Sequence, residues 1–216
     1  MWRRFTNRAE AGHALGAEVE RHIGKRDDVI VLGLPRGGVP VAHAVAATIG
    51  APMDVFIVRK LGFPGHEELA MGAIASGGVR VLNDDVLDMM PVQQSRIDAV
   101  AQREQRELER REHAYRGNRP PLDVRGRTVI VVDDGLATGS TMRAAVRALK
   151  EMQPRAVIVA VPVGAPQTCS GLRDEADDVI CLHTPEPFEA VGLWYEDFTQ
   201  TSDDEVHALL RQEVTR

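Results

Sequence analysis

Short, uninterrupted apolar runs alternate with longer amphipathic stretches along this chain. A run that is apolar throughout is typical of a strand in a parallel sheet covered on both faces, because a half-exposed strand alternates apolar and polar residues. Helices are predicted between the runs, which indicates a doubly wound α/β fold with helices on both faces of the sheet. We expect one domain over residues 1–216, with its core at about 29–183. The runs are VIVLGL (29–34), MDVFIV (53–58), TVIVVD (128–133), AVIVAVP (156–162) and DVICLH (178–183).

The predicted helices have clear start and stop signals. Asn7, followed three residues later by Glu10, has the spacing of a capping box, and the apolar stripe behind it ends at Gly24. The stretch VAHAVAATIG (41–50) also ends at a glycine. A further helix is predicted at about 140–152, directly after the third apolar run.

A long charged insertion separates the two halves of the predicted core. Residues 92–116 lack Gly and Pro, and Glu107 and Arg111 are one of two acidic-basic pairs at i,i+4 spacing. They predict a long helix with a thin apolar stripe. Three interpretations stay open: the helix lies across the core surface, pairs with another subunit, or is a solvated spacer. The stripe consists of Ile97, Val100, Ala101, Leu108 and Tyr115.

Composition narrows the range of partners. The chain is 44% hydrophobic with a formal net charge of -6, which argues against a nucleic-acid partner because phosphate backbones bind basic surfaces. No apolar run approaches the roughly 20 residues needed to cross a bilayer, and the N-terminus lacks the apolar segment of a secretory signal. We therefore expect a cytoplasmic protein with small-molecule partners and no membrane partner. Cys169 and Cys181 have no second pair or histidine cluster nearby, so both are expected to be ordinary thiols.

The stretch VIVVDDGLATGST (129–141) combines two features that suit one ligand. Residues 137–141 join a predicted strand to a predicted helix, so backbone N–H groups and hydroxyls can converge there on a phosphate. Asp133 and Asp134 would repel that phosphate but can accept hydrogen bonds from vicinal hydroxyls a few ångströms away. A ribose 5-phosphate satisfies both features, whereas the alternative is an acidic strand end that only caps the next helix. The phosphate-binding residues would be Ala137, Thr138, Gly139, Ser140 and Thr141.

The same stretch resembles the phosphoribosyl pyrophosphate (PRPP) motif of the type I phosphoribosyltransferases. No P-loop and no dinucleotide fingerprint competes with it. The resemblance implies a parallel sheet with helices on both faces and a hood over the base. It assigns Asp133 and Asp134 to the ribose hydroxyls and residues 137–141 to the 5-phosphate. Mg²⁺ is the implied cofactor, held chiefly by donor oxygens and water, with Asp133 or Asp134 reaching it only through water.

The resemblance also implies a role for the segment LPRGGVP (34–40). It stands where these enzymes carry a pyrophosphate loop, so Arg36 would contact the diphosphate. Gly37 and Gly38 would let the backbone approach the ligand closely. In the family this loop often holds a non-proline cis peptide.

The glycine-rich segment 58–78 looks like the flexible catalytic loop of the family, which closes to exclude water. Arg59 and Lys60 would then neutralise the leaving diphosphate. Glu67 or Glu68 is a candidate general base, the alternative being exposed glutamates that only keep the loop soluble.

The acceptor is constrained at two places. The 6-oxopurine enzymes carry an aspartate at the position of Ala137, so hypoxanthine and guanine are disfavoured, and the Arg-Lys pair followed by Pro-Gly is closer to the adenine enzymes. Similar enzymes place a base-binding aromatic and an acidic residue after the last core strand, in the segment that matches the aromatic-rich 184–198. The candidates here are Trp194, Tyr195 and Asp197, with residues 184–216 as the hood. Alternatively these rings seal the core or a subunit interface.

The implied activity is transfer of phosphoribose from PRPP to a small planar, nucleobase-like acceptor, with Mg²⁺ and release of pyrophosphate. No covalent nucleophile is required, and a homodimer is expected. The alternative is a regulatory protein that has kept the donor site and senses PRPP or a nucleotide without turnover.

Overall fold

The computed structural model describes residues 3–212, apart from the side chain of Glu68, so the ends of the expected domain lie outside it. No α-helix in this range is long and apolar enough to cross a membrane. Its strands are β1 (Val29–Gly33), β2 (Met53–Val55), β3 (Val58–Phe63), β4 (His66–Ala75), β5 (Val79–Leu82), β6 (Thr128–Val132), β7 (Ala156–Val163) and β8 (Asp178–His183). Its α-helices are α1 (Arg8–Ile23), α2 (Gly38–Ile49), α3 (Asp84–Met89), α4 (Gln94–Arg116), α5 (Ser140–Glu151), α6 (Pro166–Leu172) and α7 (Asp203–Arg211).

A five-stranded sheet forms the centre of the fold, with all neighbouring strands parallel and in the order β2-β1-β6-β7-β8. β1 and β6 lie side by side, with Gly33 opposite Val132 at their carboxyl ends. Ligands bind at the carboxyl edge of such sheets, and the segments that follow β1 and β6 meet there. The predicted doubly wound α/β fold is confirmed.

Both faces of the parallel sheet are buried, as strands that are apolar throughout require. Val31 and Ile130 pack against α1 and α2, whereas their neighbours Leu32 and Val131 pack against α5 and α6 on the other face. The predicted cap of α1 is also present, because Asn7 Oδ1 accepts a hydrogen bond from the Glu10 N–H at 3.0 Å. Packing on both sides fixes the strand ends, and with them the loops that follow.

A separate antiparallel sheet contains β3, β4 and β5. The apolar run at 53–58 predicted one strand, but the chain leaves the parallel sheet after Val55 and begins β3 at Val58. Phe56 and Ile57 are buried at this crossing, which explains why the run stays apolar. The segment expected to be a flexible loop is therefore a hairpin that turns at Pro64 and Gly65.

Helix α4 covers one side of this antiparallel sheet and also contacts α7. Its apolar stripe is buried there, with Leu108 fully enclosed. Arg116 at its last turn binds Asp54 at 3.0 Å, and both side chains are nearly buried. The interpretation that the helix lies across the core surface is confirmed, and the solvated spacer is wrong for this helix. Pairing with another subunit stays a prediction.

The two cysteines are paired as a disulfide between α6 and β8. The expectation of ordinary thiols was therefore wrong. A separation of 12 residues in sequence does not indicate a contact, but α6 folds back over the sheet beside β8, so the Cα atoms of Cys169 and Cys181 lie 6.8 Å apart.

Candidate active site

The acidic pair directly follows β6. The N–H of Asp134 donates to Oδ1 of Asp133 at 2.9 Å, and Oδ2 of Asp134 accepts from Nε of Arg8 at 2.8 Å. Burial raises the pKa of Asp133 well above its ordinary value, and the charge of Asp134 raises it further. Burial raises the pKa of Asp134 as well, and Arg8 opposes that rise. Two largely buried carboxylates lie close together, which is electrostatically unfavourable, and contacts within the protein hold them in place.

The segment after β1 packs directly against this pair. Its peptide bond between Pro35 and Arg36 is cis, as the resemblance implied. A Cβ atom at Gly37 would lie 2.1 Å from Oδ2 of Asp134. At Gly38 it would lie 2.7 Å from the carbonyl oxygen of Val132. Both glycines are required for this close approach of the two loops, so the structure brings Gly37 and Gly38 against the acidic pair. The guanidinium of Arg36 lies 3.9 Å from the carboxylate of Asp203 on α7.

The expected phosphate cradle lies at the start of α5. Gly139 has a φ of +72°, and no described side chain caps the first amides of the helix. Thr168 on α6 donates its hydroxyl to the carbonyl oxygen of Ala137 at 2.6 Å and so supports the loop from behind. Thr138 and Ser140 are exposed, with their hydroxyl oxygens 3.3 Å apart. Uncapped amides and the positive end of the helix dipole favour an anion at this position.

Arg59 and Lys60 form the basic pair on β3, and their side chains point to opposite faces of the strand because they are successive residues. Nε and Nη2 of Arg59 both bind Oε2 of Glu104, a residue buried on the inner face of α4. Lys60 and Glu67 are exposed on the hairpin. The structure directs Arg59 towards α4 and does not place it beside the acidic pair. The alternative base, Glu68, has no described side chain.

The aromatic segment after β8 supports the site and closes one side of it. Tyr195 is only 3% exposed and packs between the rings of Phe5 and Phe198. Its hydroxyl donates to the carbonyl oxygen of Asp134 at 2.6 Å, and burial raises the pKa of that hydroxyl. The expectation that Tyr195 stacks on a base is corrected, because the residue is buried and in contact with the rings of Phe5 and Phe198. Its observed packing agrees with the alternative, in which the rings seal the core.

The two other candidates in this segment have different surroundings. Trp194 is half-buried and packs against the cluster formed by Phe5, Val163 and Tyr195. Asp197 is exposed and accepts hydrogen bonds from the backbone N–H and hydroxyl of Thr199. Neither contact brings a base-recognising group to the acidic pair.

Sequence reasoning missed Arg8 and Thr168. Thr168 lies on α6 and carries no local signal for its contact with the phosphate loop. Arg8 carries a weak one: it is the first residue of α1, where the positive end of the helix dipole disfavours a cation. An arginine at that position indicates an anionic partner elsewhere in the fold.

Other proteins resemble this chain along most of its length. The family described as phosphoribosyl transferase domain matches residues 5–196. A Mycobacterium tuberculosis protein, whose name assigns it provisionally to the phosphoribosyl transferases, is 47% identical over 206 residues, which are 95% of this chain and 46% of that protein. The chain thus spans about half the length of that relative.

Two further similarities concern a smaller region and the complete fold. A uracil phosphoribosyltransferase from Lactobacillus delbrueckii is 30% identical over 132 residues, 61% of this chain and 59% of that enzyme. The crystal structure of a Thermus thermophilus protein has a TM-score of 0.86 and 42% identity, and the match covers 96% of this chain and 97% of that one.

Proposed function

Because the chain belongs to the phosphoribosyl transferase family, we propose that it transfers phosphoribose from PRPP to a nucleobase-like acceptor and releases pyrophosphate. The observation that carries this proposal is the contact between the two loops after β1 and β6. Gly37 abuts the carboxylate of Asp134, and the uncapped start of α5 lies within the same loop region. In this proposal the diphosphate, the ribose hydroxyls and the 5-phosphate bind at adjacent positions on one sheet edge.

Each group of the donor has a matching protein group. Asp133 and Asp134 accept from the ribose hydroxyls, and residues 137–141 donate to the 5-phosphate. Arg36 contacts the diphosphate, and Lys60 approaches it from the hairpin. The acceptor nitrogen attacks the anomeric carbon, forming the N–C bond as the bond to the diphosphate oxygen breaks, so the electron pair leaves with pyrophosphate. The proton of that nitrogen passes to a general base, for which Glu67 is the candidate. Positive charge develops on the sugar in this direct displacement, and positioning and electrostatic stabilisation suffice, so no covalent nucleophile of the protein is required.

The protein groups at the acidic pair suit a Mg²⁺ ion that is held mainly by the oxygens of PRPP. Among residues 3–212, no group of three or more His, Cys, Asp or Glu side chains could hold a metal ion. Two adjacent carboxylates without a third ligand fit a hard octahedral ion that keeps its waters and the donor oxygens. Asp133 or Asp134 would contact it through water, and the ion would neutralise diphosphate charge.

The acceptor is the least constrained part of the proposal. Ala137 supplies no carboxylate to handle a 6-oxopurine proton, which favours other bases. The Lactobacillus relative is named as a uracil enzyme. Residues 58–65, in contrast, resemble the adenine enzymes. A test of acceptors must therefore include uracil and adenine together with the 6-oxopurines.

A PRPP or nucleotide sensor without turnover is the second candidate. It is favoured by one contact: Arg59, which the resemblance assigns to the leaving diphosphate, is bound to Glu104 on α4. A sensor needs the donor site but not this arginine. Binding and turnover must therefore be measured separately.

The experiment measures both quantities with purified protein. Calorimetry gives the affinity for PRPP with Mg²⁺, and a coupled assay measures pyrophosphate release with a panel of nucleobases. We expect binding and turnover in the wild type, and in Asp134→Asn a strongly weakened but measurable affinity for PRPP together with loss of turnover. The matched control is Asp85→Asn, since Asp84 and Asp85 form a second acidic pair with no phosphate loop behind it. Binding of PRPP without turnover would support the sensor, whereas absence of PRPP binding would reject both phosphoribosyl transfer and PRPP sensing.

A further inference from the structure

The side chain of Arg8 joins three distant parts of the chain beside the acidic pair. Its Nε donates to Asp134 at 2.8 Å, and its Nη1 donates to the carbonyl oxygen of Thr199 at 2.7 Å. The guanidinium carbon also lies 4.0 Å from the ring centroid of Phe198. Only 11% of the Arg8 side chain and 15% of the Asp134 side chain is exposed. The orientation of the guanidinium is thus set from three sides.

These contacts restrict how Asp134 can turn. Oδ2 is held by Arg8 and faces Gly37, while the hydroxyl of Tyr195 holds the carbonyl oxygen of the same residue. Oδ1 accepts no hydrogen bond from a described residue, so it stays available to a ligand. We infer that Arg8 is a positioning residue that fixes the carboxylate of Asp134 for a ribose hydroxyl of the donor, an inference that rests on the proposed function.

Placement of Arg8 in the sequence supports a role beyond folding. The first turn of a helix favours acidic residues, so Arg8 opposes the dipole of α1 and gains its favourable contacts outside the helix. Lysine would keep the charge but not the planar fork that binds Asp134 and Thr199 at the same time. The charge of Arg8 and the planar geometry of its guanidinium therefore both contribute to these contacts. Substitution by methionine removes both, whereas substitution by lysine removes only the geometry.

The test compares Arg8→Met and Arg8→Lys with the wild type by calorimetry with PRPP and Mg²⁺. We expect the affinity for PRPP to fall about tenfold or more in Arg8→Met, and by less in Arg8→Lys. The reason is the loss of the charge-assisted hydrogen bond that orients the carboxylate of Asp134. The matched control is Arg21→Met on the same helix, where Arg21 is exposed and pairs with Glu18. It should bind PRPP with wild-type affinity.

A double variant distinguishes positioning from a general effect on the fold. If Arg8 acts through Asp134, then Arg8→Met combined with Asp134→Asn binds PRPP no more weakly than Asp134→Asn alone. If the fold-losses of PRPP affinity in the two single variants multiply in the double variant, the inference is overturned. Wild-type PRPP affinity in Arg8→Met would overturn it too. Should Arg8→Met not fold, wild-type affinity in a folded Arg8→Lys would overturn it as well. If the wild type itself does not bind PRPP, the proposed function fails and the inference falls with it.

Discussion

Replacing Gly37 by alanine tests the contact on which the proposed donor site depends. The backbone at Gly37 has φ -61° and ψ -33°, a conformation that alanine adopts without strain. The added methyl would nevertheless lie 2.1 Å from Oδ2 and 2.8 Å from Cγ of Asp134. The effect of the substitution is therefore steric and is directed at one carboxylate.

The size of the effect follows from the distances. Real Cβ atoms essentially never approach another heavy atom within 3.0 Å, so the carboxylate and the loop must separate by about 0.9 Å. This movement breaks the 2.8 Å contact between Asp134 and Arg8. A hydrogen bond to a charged group contributes about 1.5–3 kcal/mol, which corresponds to a loss of PRPP affinity of about 10- to 150-fold. Overpacking lowers the free energy of unfolding by about 1–3 kcal/mol.

The assay combines PRPP calorimetry with thermal denaturation, and its control is Gly16→Ala. A Cβ atom at Gly16 would lie 2.7 Å from Cβ of Thr48, in the packing of α1 against α2 and away from the acidic pair. We expect both variants to melt at a lower temperature but only Gly37→Ala to lose affinity for PRPP. Wild-type PRPP affinity in Gly37→Ala, or an equal loss of affinity in Gly16→Ala, would contradict the steric link between Gly37 and the donor site.

Three further substitutions test the surroundings of the site. Burial raises the pKa of Asp133 in the folded state, so its stabilising contribution is full below the ordinary aspartate pKa and is lost as the pH rises through the raised value. Asp133→Asn should therefore melt higher than the wild type at pH 8, with the gain vanishing near pH 4, while PRPP binding is lost. Tyr195→Phe should lower the free energy of unfolding in urea by about 1–3 kcal/mol, because the buried carbonyl of Asp134 loses its donor. Glu104→Gln should lower the melting temperature, since the half-buried Arg59 keeps its charge without its buried anionic partner.

The parts of the fold that the sequence predicts are those encoded by neighbouring residues. An apolar run defines each strand of the parallel sheet, and Asn7 with Glu10 defines the start of α1. The acidic pair and residues 137–141 are close in sequence and also in space, because β6 leads through one short loop into α5. Such features require no knowledge of the rest of the chain.

The expectations that differed depend on contacts between distant segments. The run at 53–58 has the composition of one strand, and only the position of the second sheet explains why it divides after Val55. Cys169 and Cys181 meet because α6 folds back onto the sheet beside β8. Arg59 is separated from Glu104 by 45 residues, so no local pattern shows that α4 engages it.

The acidic pair itself combines both kinds of information. Its residue types and spacing are local, but the state of Asp134 depends on Arg8, which is 126 residues away, and on Tyr195, 61 residues away. Both lie outside the predicted core at 29–183, one before it and one after it. A segment limited to that core would keep the motif but would leave two carboxylates beside each other without the arginine that opposes their repulsion. If the donor binds at the acidic pair as proposed, we expect its recognition to require the N-terminal helix and the segment after β8, although neither contains a recognisable part of the motif.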